Sequence, residues 1–159
     1  MKQQTPSPQT PRQRWMAILA KAPCAALEAR LPADLPAHRV LRRPETGLVL
    51  VRGRAGGRGQ QFNFGEMTVT RCAVQLDSGI VGHAYVGGRD RRHAELAALV
   101  DALLQDTVHA PALLAGVIEP LAAEAAARRL RKAREAAATK VEFFTVAREA
   151  RQPGAGELE

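Results

Sequence analysis

Aromatic residues are nearly missing from this chain. Among 159 residues there are one Trp, one Tyr and four Phe, 4% in all. A core built from it must rest on Ala, Leu and Val, and the stacking platforms that single-stranded nucleic acid needs are scarce. Cysteine is almost as rare. Cys24 and Cys72 show neither metal-ligand spacing nor a disulfide framework, so a reducing compartment is expected. No apolar run approaches the ~20 residues that a bilayer demands. The start, MKQQTPSPQTPRQR, lacks the apolar stretch of a signal peptide. These absences together predict a soluble, cytoplasmic protein. The glycine-rich stretch RGRAGGRG is followed by no Gly-Lys-Ser/Thr, which excludes a Walker loop, and by no helix where a dinucleotide fingerprint needs one. No Ser–His–Asp, paired-carboxylate or Cys–His constellation stands out. No catalytic residue, metal or cofactor is therefore expected.

What is present is charge of one sign. The formal net charge is +7 and the isoelectric point about 10.4. Such a balance suits an acidic partner: a phosphorylated small molecule, nucleic acid or an acidic protein surface. No nucleic-acid recognition motif accompanies it, so nucleic acid is the least expected of the three. A length of 159 residues fits one domain with a genuine core.

The periodicity predicts an α+β fold. Residues 1–11 read as a disordered tail rich in Pro, Gln and Thr, and Pro11 suits the first turn of a helix. PRQRWMAILAKA places Trp15, Ile18 and Leu19 on one helical face, and CAALEARL makes a second short helix ending before Pro32. HRVLRR then reads as a strand, PETG as a turn, and LVLVRGR as a strand apolar on both faces. Such a strand is either covered on both sides or sits at a subunit contact. GEMTVTRCAVQLD alternates as a strand with Thr68, Thr70, Cys72, Val74 and Leu76 on one face. Ser78-Gly79 closes a hairpin, and IVGHAYVGG returns with Ile80, Gly82, Ala84 and Val86 on one face and Val81, His83 and Tyr85 on the other. Asp90 is a helix N-cap before an apolar stripe of Leu96, Leu99, Val100, Leu103 and Leu104. Pro111 and Pro120 open or break later helices, and the alanine-rich run from Leu121 is strongly helical. The expected architecture is an antiparallel β meander with N-terminal and C-terminal helices packed on it, over residues 12–150, with a loose tail at 151–159.

Two basic clusters are candidate sites. GGRDRRHAE puts Arg89, Arg91, Arg92 and His93 around a helix N-terminus, where free N–H groups and guanidinium forks favour phosphate. Asp90 competes for the same N–H groups. Cations at the positive end of a helix dipole are unfavourable by about 0.3–1 kcal/mol, so these arginines need a partner: a phosphate, a carboxylate such as Glu95, or another subunit. Arg54 and Arg58 lie in the glycine-rich loop, whose backbone could approach a phosphate or serve as a contact loop. His83, His93 and Glu95 lack metal-ligand spacing. Phe143 and Phe144 are adjacent and face different ways, so one suits the domain and the other a partner. Arg128–Arg134 is a basic helical face, with Glu124 placed to pair with Arg128.

RQRWMAILA, RRPETGLVLVRGRAGGRG, FNFGEMTVTRCAVQL, VGHAYVGGRDRRHAELAALVDALLQ and ATKVEFFTVAR, in that order, resemble the PhnG family, the G subunit of the bacterial carbon–phosphorus lyase core complex. The likeness runs from about residue 12 to residue 149. It implies a cytoplasmic assembly with the H, I and J subunits, joined by the L protein. That assembly displaces adenine from ATP by methylphosphonate, giving α-D-ribose 1-methylphosphonate 5-triphosphate. It implies no catalytic residue in this chain, and a supporting role in phosphonate catabolism. The six candidate residues, Arg54, Arg58, Arg89, Arg91, Arg92 and His93, are then more naturally contacts to other subunits than substrate ligands.

Overall fold

The computed structural model describes residues 9–54 and 59–139. Helix α1 spans Pro11–Leu19 and opens with a reciprocal cap. Thr10 Oγ1 accepts from Gln13 N at 3.2 Å, and Gln13 Oε1 accepts from Thr10 N at 2.9 Å. Helix α2 is Cys24–Glu28. Three strands follow, β1 His38–Gly53, β2 Phe62–Leu76 and β3 Val81–Gly87. Among the described residues they form one antiparallel sheet in the order β1-β2-β3. The expected α+β class and meander are both present.

Helix α3, Arg91–Leu104, is the centre of the molecule. All of its residues but Arg91, Arg92 and Glu95 are buried, because one side meets the sheet and the other meets the remaining helices. The sheet offers it Cys72, Val74 and Leu76 of β2 and Ala84 and Val86 of β3, all buried. The approach is closest at Gly82. A Cβ there would lie 2.0 Å from Ala98 O and 2.5 Å from Ala102 N, so only glycine lets β3 and α3 touch backbone to backbone. Leu19 and Leu27 close the core from α1 and α2.

One charged residue lies inside this apolar layer. Asp101 on α3 is fully buried, and its carboxylate is saturated. Arg12 donates through Nε to Oδ1 at 3.2 Å and through Nη2 to Oδ2 at 2.7 Å. Trp15 Nε1 donates to Oδ1 at 2.9 Å, and the His83 backbone N–H donates to Oδ2 at 2.9 Å. Asp101 therefore ties α1 and the edge of β3 to α3. A buried carboxylate persists only with such full satisfaction. The indole of Trp15 thus has a polar duty beyond the apolar face expected from its spacing.

One sequence expectation is corrected here. PETG is not a turn, because β1 runs unbroken through it. Register shifts between Val40 and Arg42 and between Arg42 and Glu45 absorb Pro44, which an edge strand tolerates at a bulge. Glu45 then holds Arg71 Nε at 2.6 Å and Arg42 Nη1 at 2.8 Å. Pro120 opens a helical segment, one of the two roles expected of it, from within its first turn. Helix α4 (Ala110–Leu113), a π-helical turn (Leu114–Ile118) and α5 (Glu119–Ala138) are continuous. The wider π turn lies where a proline ring would strike the carbonyl one turn back.

This continuity also overturns the expectation that no segment reaches bilayer-spanning length. Residues Ala110–Ala138 contain an 18-residue window of mean hydropathy 1.3, enough to cross by length and composition. The beginning of this segment is packed against the body. Leu113, Val117, Ile118 and Leu121 enter the core, Glu119 pairs with Arg14 at 2.8 Å, and Glu124 pairs with Arg30. The expected Glu124–Arg128 pair is present at 3.9 Å.

Candidate functional site

The GGRDRRHAE corner is built from the sheet outward. Gly88 adopts φ +92°, a backbone that L side chains rarely enter. Its N–H donates to Thr68 O at 2.9 Å, and its carbonyl accepts from Thr70 Oγ1 at 2.8 Å. The chain is thereby turned from β3 into α3, where Asp90 caps the helix by accepting from His93 N at 2.9 Å.

The four candidate side chains of this corner separate. His93 is buried, and its Nε2 lies 2.8 Å from Leu19 O, so it satisfies the last carbonyl of α1 and has a structural role. Arg92 Nε donates to Glu28 Oε1 at 3.1 Å, which joins α3 to α2 rather than to the expected Glu95. Arg89 and Arg91 are exposed and have no carboxylate partner among the described residues. Cys24 stands near the same corner. Burial, followed by the charges of Asp90 and Glu28, raises its pKa and holds the thiol protonated. The thiol is thus a poor nucleophile.

In the glycine-rich loop, Arg54 Nη1 donates to Gly59 O at 2.8 Å, bracing the loop on itself. Arg58 lies outside the described residues, as do Phe143, Phe144 and residues 1–8. Among the described residues no group of three or more His, Cys, Asp or Glu side chains could hold a metal ion. His83 and His93 sit apart, the first exposed and the second in the core.

Two surfaces escaped the sequence reading. The first is the far end of the β1–β2 hairpin. Strand β3 pairs only with Val69–Gln75, so Leu48–Gly53 and Phe62–Thr68 continue as a two-stranded ribbon. Leu48 and Leu50 are 64% exposed and Phe64 is 76% exposed, with Phe62 and Met67 also open. Phe62 and Phe64 meet edge to face, with centroids 6.4 Å apart. The sequence signalled the doubly apolar strand but not that its partner strand would be bare too.

The second is the outer face of the sheet. A shallow depression of about 400 Å³ there is lined by Leu41, Arg42, Arg71, Cys72, Ala73, His83 and Tyr85. The neighbouring Tyr85 hydroxyl and then Glu45 raise the Arg71 pKa further, and Arg71 in turn lowers that of Glu45. Both arginines share that single carboxylate, so the face keeps net positive charge. On the other side of β3 a groove of about 220 Å³ lies against α1, lined by Met16, Ala17, Ala20 and Ala97.

Fold and surface thus define an α+β protein with a closed core, no assembled catalytic constellation among the described residues, and an uncovered apolar ribbon. The chain belongs to the PhnG family: the family described as "Phosphonate metabolism protein PhnG" matches residues 10–149. It is similar to the alpha-D-ribose 1-methylphosphonate 5-triphosphate synthase subunit PhnG of Rhizobium meliloti (strain 1021). The identity is 45% over 139 residues, covering 86% of this chain and 88% of the relative.

Proposed function

We propose that this chain is the G subunit of an α-D-ribose 1-methylphosphonate 5-triphosphate synthase of phosphonate catabolism, supporting the reaction without carrying its chemistry alone. One observation carries this reading: a relative that is 45% identical over nearly the full length of both chains is named as a subunit of that synthase. The companions are the H, I and J subunits, with the L protein, in the cytoplasm. The assembly uses ATP and methylphosphonate and displaces adenine. The ribbon supports a docking role. Isolated two-stranded ribbons are marginal in water, and clustered exposed Leu, Phe and Met mark surfaces meant for a partner. Produced alone, the chain should self-associate or precipitate, and co-expression with the I subunit should restore a soluble complex. A well-behaved monomer that ignores the I subunit would contradict the reading.

A second reading rests on Arg89 and Arg91, which are exposed beside a helix N-terminus and have no salt-bridge partner among the described residues. Here the corner completes a phosphate-binding site at a subunit boundary. Arg91→Ala should then leave assembly intact and lower turnover, and full turnover in the assembled variant would remove the idea. Nucleic-acid binding is disfavoured, and no salt-sensitive DNA or RNA retention is expected at low salt.

A further inference from the structure

The free edge of β3 has an unusual division of labour. His83 N donates to Asp101, and Val81 O accepts from Gln105 Nε2 at 3.0 Å, so both residues turn their backbone groups away from β2. The antiparallel alternation then turns those of Tyr85 and Gly87 outward too, while Ala84 and Val86 bond to β2. Among the described residues, nothing bonds the outward N–H or C=O of Tyr85. The first half of the edge is thus closed by α3 side chains and the second half is open.

The opposite edge of the sheet shows how a fold avoids unwanted pairing. Strand β1 carries Pro44, two adjacent register shifts and arginines at 39, 42 and 43. The stretch Tyr85–Gly87 has none of these devices. It is flanked on one side by the apolar groove against α1 and on the other by the positive depression around Arg42, Arg71 and His83.

We propose that Tyr85–Gly87 accepts an extended segment of a companion chain as a fourth strand. Alternation along that segment would send one apolar side chain into the α1 groove and an adjacent acidic side chain toward Arg71 and His83. The acidic position follows from charge: Arg42 and Arg71 have only Glu45 between them. A second copy of this chain does not fit. Its own Val81–Gly87 contains no carboxylate, and edge-to-edge pairing would bring the two positive faces together. The inference rests on the chain being a subunit of the synthase.

The test uses the purified assembly. Hydrogen exchange at the Tyr85 and Gly87 amides should be at least about 10-fold slower than the unprotected rate. Tyr85→Pro removes the outward donor at an edge position that tolerates proline, and should reduce retention in the assembly by about 10-fold or more. Tyr85→Val keeps the donor and should be retained nearly as the wild type. Ala17→Phe fills the groove and should be lost like Tyr85→Pro, which decides the matter if the proline variant fails to fold. Unprotected amides in an assembly that contains the chain would overturn the strand addition and leave the subunit reading standing. A chain that never joins the assembly would overturn both.

Discussion

The two ends of one hairpin behave as different materials. Near the body, β2 buries Val69, Thr70, Cys72, Ala73, Val74 and Leu76. Beyond Thr68 the same strand buries nothing, although Phe62, Phe64 and Met67 are larger and more apolar than most of the buried set. The sequence pattern hardly changes along the strand. What changes is the company: α3 and β3 end where the ribbon begins. Burial is decided by what lies opposite, and clustered exposed apolar surface is the kind that marks a place for a partner.

That contrast can be broken at the body first. Asp101→Ala would strip Arg12, Trp15 and the His83 amide of their common acceptor and leave a guanidinium unpaired beside the core. The expected loss is about 3–5 kcal/mol, read as a large fall in the thermal midpoint. Gly82→Ala is expected to come next. Its methyl group must displace the α3 backbone, at a cost of about 1–3 kcal/mol or more in denaturant unfolding. Asp90→Ala removes the cap of α3 and should lower stability by about 1 kcal/mol in the same assay. At the ribbon the expectation reverses. Leu48→Ser with Leu50→Ser should shift stability by no more than about 0.5 kcal/mol, and should improve solubility. A ribbon variant that unfolds like Asp101→Ala would erase the distinction between the two ends.

The reactivity of cysteine gives a smaller check on the same boundary. Burial pushes the Cys72 thiol up to about 11. At pH 8 only about one molecule in a thousand then carries the thiolate, so alkylation should be negligible until the body opens.

Much of this was legible beforehand. The 3.6-residue stripe of α3, the two-residue alternation of β2 and β3, Pro11 in the first turn of α1 and the Asp90 cap state their elements locally. Pro44 misled, because an edge bulge is decided by neighbours rather than by the proline itself. Asp101 gave one available signal, a carboxylate in the middle of an apolar stripe, but its two side-chain partners on α1 lie 86 and 89 residues away in sequence. His93 looked like a site residue because it follows three arginines, yet packing under α1 consumed it. The outer depression was invisible, since Arg42, Arg71 and Tyr85 meet only through strand register.

The central claim is that the bare ribbon is covered by a companion chain. The direct measurement is co-purification of a Leu48→Ser, Leu50→Ser, Phe64→Ser variant with the other synthase subunits, alongside circular dichroism of the variant alone. The account predicts a folded variant that elutes without its companions. A folded variant that still elutes with them at the wild-type ratio would contradict it.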